Sequence, residues 1–135
     1  MKSLLSICIV LSLATMLLVA CGGSTAASNG NGGSGDSGGN VAVVHMSASD
    51  FMQSHVTLHK GDRLRLVDDA ASVHIVMNGA WDGTTSKAHT EPGAPLVNQQ
   101  FSGNDAHVIG PFTSAGSFRF YCTVHLGMNL TVTVV

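Results

Sequence analysis

The chain has 135 residues, 44% of them hydrophobic and only 10% charged, with a formal net charge of −2. Six basic against eight acidic residues form no basic patch, which excludes a nucleic-acid partner and argues against docking driven by a strong field. The length permits one hydrophobic core and no second domain.

Residues 1–20 read as an export signal. Lys2 supplies the positive start, Leu4 to Val19 form an apolar run broken only by Ser6, Ser12 and Thr15, and small residues precede Cys21. The run is too short for a comfortable membrane span, which needs about 20 predominantly apolar residues. Leu18-Val19-Ala20-Cys21 resembles the bacterial lipobox, whose cysteine is acylated and becomes the mature N-terminus. That resemblance implies Cys21 as a lipidation site, a membrane lipid anchor, and an extracytoplasmic location at the cell surface or in the periplasm. Two or three acyl chains hold a protein stably where one is marginal. Gly22 to Asn40 has eight glycines in nineteen residues and no large apolar side chain, so residues 21–40 are expected to be a lipidated cysteine and a flexible tether.

Residues 41–135 carry β texture throughout. Val41 to Met46 is a short apolar run, and His55 to His59 alternates before a Lys60-Gly61-Asp62 turn. Arg63-Leu64-Arg65-Leu66-Val67 alternates again, predicting leucines inward and arginines outward. Asp68-Asp69 then reads as a solvated turn. Val73 to Met77 is an apolar strand, with Asn78-Gly79 as the turn signal that ends it. Trp81 to Gly103 is rich in Gly, Thr, Pro and Asn and predicts a long crossing loop with room for a short helix. Phe118 to Tyr121, introduced by Ser114-Ala115-Gly116, and Leu130 to Val134 complete an all-β sandwich.

Cysteine usage points to the chemistry. Cys8 departs with the signal and Cys21 is taken by lipid, which leaves Cys122 as a lone thiol in an oxidising compartment. Such a residue is either a small buried hydrophobe or a metal-held thiolate. Cys122-Thr123-Val124-His125-Leu126-Gly127-Met128 places three soft or borderline donors within seven residues, a set that suits copper. His74 is the best fourth ligand, because an imidazole among Val73, Ile75 and Val76 needs a reason to be there. Two imidazoles, a thiolate and a weak thioether make the trigonal-plus-axial site of blue-copper proteins. Zinc gains little from a thioether.

These residues resemble the cupredoxins of the plastocyanin/azurin group across residues 41–135. The resemblance is carried by Val73-His74-Ile75-Val76 with Asn78-Gly79-Ala80-Trp81, and by Phe112 to Met128. The spacing C-x-x-H-x-x-M is similar to the short ligand loop of amicyanin. It implies a Greek-key β-sandwich with one type 1 copper ion, held equatorially by His74, Cys122 and His125 and axially by Met128. It also implies a monomeric, non-enzymatic one-electron shuttle whose redox partner is a c-type cytochrome or a membrane oxidoreductase. The electron would pass through His125 beneath an apolar patch that includes Leu126 and Ala80. Where relatives commonly carry Asn after the first ligand histidine, this chain has Ile75.

A copper-handling protein is the alternative, although such proteins favour exposed Met/His clusters. A multicopper enzyme is excluded by the lack of a second domain and of a His-x-His pair. His45, His55, His59, His89 and His107 read as solvent-facing, with a surface copper site using Met52 as the less common possibility. Met77 falls on the strand face opposite His74, and Trp81 and Tyr121 read as structural.

Overall fold

Alternating burial fixes which face of each strand turns inward, and the computed structural model describes it for residues 38–135. The expected signal, Cys21 and most of the tether lie outside the described residues. Those described form nine strands and no helix: β1 (Val41–Met46), β2 (His55–Leu58), β3 (Arg63–Asp68), β4 (His74–Asp82), β5 (Thr85–Ala88), β6 (Asn98–Phe101), β7 (Ala106–Ile109), β8 (Gly116–Cys122) and β9 (Asn129–Val134). In β3 the predicted alternation holds, with Leu64 and Leu66 fully buried and Arg63 and Arg65 exposed.

Two sheets share these strands. One has the order β1-β3-β7, with β1 parallel to β3 and β7 antiparallel to it. The other runs β2-β9-β8-β4-β5, with β6 also pairing β4. Val44, Met46, Leu64, Leu66 and Ile109 of the first sheet pack in one cluster with Leu58, Val76, Phe101, Phe118, Phe120, Leu130 and Val132 of the second. Phe112 joins them from a loop, its ring centroid 6.1 Å from those of both Phe118 and Phe120. This is the expected all-β sandwich.

Two expectations fail. Asn78-Gly79 is not a turn, because β4 runs through it to Asp82. An Asn-Gly pair reverses a chain only when its flanks pair with each other, and here each flank has another partner. His74 to Met77 pair with β6, Val76 to Asn78 with β8, and Gly79 to Asp82 with β5. The buried Asn78 side chain is committed elsewhere, donating to the Pro95 carbonyl (3.0 Å) and accepting from the Val97 N–H (2.6 Å). Gly79 has φ +128°, and a Cβ there would collide with the Lys87 backbone, so only glycine lets β5 approach. The chain reverses at Gly83-Thr84 instead. Consequently the span from Trp81 to Gly103 is not a long loop with a helix. It contains the end of β4, all of β5 and all of β6.

Candidate metal centre

The antiparallel pairing of β4 with β8 sets Val76 opposite Cys122, so the start of β4 lies beside the end of β8. His74 opens β4, Cys122 closes β8, and His125 lies in the short connection to β9. Their donor atoms converge. His74 Nδ1 is 3.2 Å from His125 Nδ1, which is 3.5 Å from Cys122 Sγ, and the three ligand atoms all lie within 4.8 Å of one another. His74 and Cys122 are fully buried, while His125 is half-buried. Among the described residues this is the one group of three or more His, Cys, Asp or Glu able to hold a metal ion.

Main-chain bonds give the connection its shape. The Cys122 N–H donates to the Met128 carbonyl (3.0 Å), the Met128 N–H to the His125 carbonyl (3.3 Å), and the Thr123 N–H to the Ile75 carbonyl (2.9 Å). Ile75 offers no side-chain hydrogen bond, yet its backbone still ties the connection to β4. Gly127 supplies the left-handed turn (φ +80°) that returns the chain to β9. Met128 is buried at the end of that turn.

A further clamp was not foreseen from the sequence. Trp81 Nε1–H donates to the Cys122 carbonyl at 2.8 Å. The Trp81 N–H donates to Asn129 Oδ1 (2.7 Å), and Asn129 Nδ2 donates back to the Trp81 carbonyl (3.1 Å). Trp81 therefore grips both ends of the Cys122–Met128 stretch and packs edge-on against Tyr121, with ring centroids 6.0 Å apart. It is structural, as expected, and it borders the site.

No protein-family model matches the chain, and no curated protein matches it either. Solved structures do. Amicyanin from Paracoccus versutus (Thiobacillus versutus) superposes with a TM-score of 0.54 at 22% identity, over 70% of this chain and 81% of that one. The Cu(I) form of an amicyanin mutant gives 0.55 at 22% identity, over 71% and 83%. An oxidised mutant gives 0.54 at 22% identity, over 76% and 86%. The fold is that of amicyanin, a cupredoxin.

Within this cupredoxin fold His74 is prepared as a neutral donor. Its Nε2–H donates to the Ser47 carbonyl at 3.1 Å, which leaves the Nδ1 lone pair facing Cys122 and His125. Burial lowers its pKa below the ordinary value of 6.5. The Asp68 carboxylate opposes that shift, His125 adds to it, and the Ser47 carbonyl and Asp105 oppose it more weakly. The neutral imidazole is the form that ligates.

Asp68 corrects another expectation. Asp69 is exposed and pairs with His45 (2.6 Å), but the Asp68 side chain is fully buried, with Oδ1 3.7 Å from His74 Nε2. The cause is tertiary, because Asp68 is the inward residue that ends β3. The remaining histidines are dispersed. His55 meets Thr133, His59 lies 3.7 Å from Asp62, and His107 lies 3.7 Å from Asp105. None joins a second cluster of His, Cys, Asp or Glu among the described residues. Met77 alternates away from His74, as expected.

Proposed function

We propose that the chain is an exported blue-copper electron carrier. One type 1 copper ion would be held equatorially by His74, Cys122 and His125 and axially by Met128. The observation that carries this reading is a buried thiol and two imidazole nitrogens converging within 4.8 Å. A thiolate with two imidazoles fits copper, and the buried thioether of Met128 lies on the same connection. Bound there, copper supplies a one-electron couple.

The chain's own residues do the rest. Burial of His74 and Cys122 keeps water off two ligands, and the Ser47 carbonyl holds the His74 ring in its ligating tautomer. The Trp81–Asn129 clamp and the Ile75 carbonyl resist movement of the ligand stretch when the charge changes. Three of the four proposed ligands, His74, Cys122 and Met128, are buried, which suits a carrier that passes electrons without binding a substrate. The half-buried His125, next to Leu126 at 62% exposure, is the route to a partner. That partner would be a c-type cytochrome or a membrane oxidoreductase, met by a monomer. The signal-like residues 1–20 and the lipobox-like Cys21 support a membrane-tethered, extracytoplasmic carrier on a Gly/Ser leash.

Copper titration tests the reading. Cu(II) added to the protein should give intense thiolate-to-copper absorption at one equivalent and a reversible one-electron couple, and Cys122→Ser should abolish the absorption. A colourless complex that surrenders its ion readily to a chelator would favour copper handling instead.

A further inference from the structure

Asp68 sits behind His74, on the side away from Cys122 and His125. Its side chain has no solvent exposure. Oδ1 accepts from the Ala70 N–H (3.1 Å) and lies 3.7 Å from His74 Nε2, while Oδ2 is buried with no hydrogen-bond partner. Asp105 stands next to it, joined by the Asp68 N–H to the Asp105 carbonyl at 2.8 Å, and its Oδ1 is also buried and unpartnered. Among the ion pairs of the described residues no Lys or Arg meets either carboxylate. A buried carboxylate without a cation is costly, and the fold retains it against the one ligand that is wholly enclosed on β4.

We propose that Asp68, backed by Asp105, is a positioning residue that polarises His74 and biases the metal centre toward its oxidised form. The proposal rests on the copper reading above. A thiolate with Cu(II) carries a net charge of +1, and with Cu(I) it carries none. Reduction adds one electron and removes the positive charge that the buried Asp68 carboxylate faces, so Asp68 opposes it and the part-exposed Asp105 adds to that effect more weakly. The Asp68 carboxylate, 3.7 Å from Nε2, makes His74 a stronger donor at Nδ1 through its field, while the Nε2–H itself is donated to the Ser47 carbonyl.

The test uses the full chain. Asp68→Asn should shift the Cu(II)-to-Cu(I) affinity ratio at least tenfold toward Cu(I), a rise in potential of about 59 mV for one electron. The absorption band should barely move. Asp105→Asn, whose side chain is 35% exposed, should raise the potential by less. An unchanged or lowered potential in a coloured Asp68→Asn protein overturns the proposal. If that variant does not fold, Asp105→Asn decides: a rise supports the proposal and its absence overturns it. In the metal-free protein, Asp68→Asn should also shift the His74 Nε2–H resonance, and an unmoved signal counts against the contact. Should the wild-type chain give no thiolate band at all, the copper reading fails, while the metal-free resonance still decides whether Asp68 acts on His74.

Discussion

Replacing Trp81 with Phe keeps an aromatic ring against Tyr121 but removes the N–H that reaches the Cys122 carbonyl at 2.8 Å. The Met128 N–H cannot substitute, because it is engaged with the His125 carbonyl. The bond is part-buried, so the loss lies between an exchanged hydrogen bond and a stranded acceptor and should cost about 1–2 kcal/mol. For a domain of this size, each 1 kcal/mol corresponds to roughly 4–8 °C in melting temperature. Asn129→Ala removes the other half of the clamp, two bonds of 2.7 and 3.1 Å to the Trp81 backbone.

Because both substitutions act on one residue, their costs should not add. A double-mutant cycle on the metal-free protein, followed by urea unfolding at constant m-value, should return a coupling of about 0.5 kcal/mol or more. Copper-loaded Trp81→Phe should also show a broadened thiolate band, since the Cys122 backbone is freer. Additivity within about 0.3 kcal/mol, together with an unaltered band, would refute the clamp.

Gly79→Ala should cost more than about 2 kcal/mol in thermal unfolding, because the strained φ and the collision with the Lys87 backbone both force β5 away. The metal-free protein should lose stability in acid. His74 is held neutral below its ordinary pKa of 6.5, so the unfolded chain takes the proton first. That contribution is therefore complete above about pH 6.5 and is lost below it, by up to ~1.4 kcal/mol per pH unit until the folded pKa is reached. Urea midpoints at pH 7.5 and 5.5 measure it, and His74→Gln should flatten the dependence. Leu126→Asp, at a site 62% exposed, should slow bimolecular electron transfer while leaving the copper spectrum nearly unchanged. Equal rates would refute His125 as the route.

What the sequence revealed was local. The alternation in Arg63–Val67 and Leu130–Val134 reads directly as an inward and an outward face, and the seven residues from Cys122 to Met128 state their donor chemistry by spacing. What it hid depends on distant partners. Thr85–Ala88 is exposed at every position and β6 buries only Phe101 fully, so neither has a periodic signal of its own. Pairing with β4 makes them strands. Asp68 beside Asp69 looks like a solvated pair until β3 turns one inward toward His74. Asn129 carries no signal of its own in the sequence, and its task appears only when Trp81, 48 positions earlier, arrives beside it.

The unequal exposure of the three clustered donors has a kinetic consequence. Only His125 touches solvent, so an incoming ion meets one imidazole before it can reach the thiol or the inner ring. For copper held there as proposed, uptake and departure would both pass His125. Exchange with competing scavengers in the surrounding fluid should accordingly be slow even where affinity is modest, as the proposed carrier reading requires and a copper-delivering one would not.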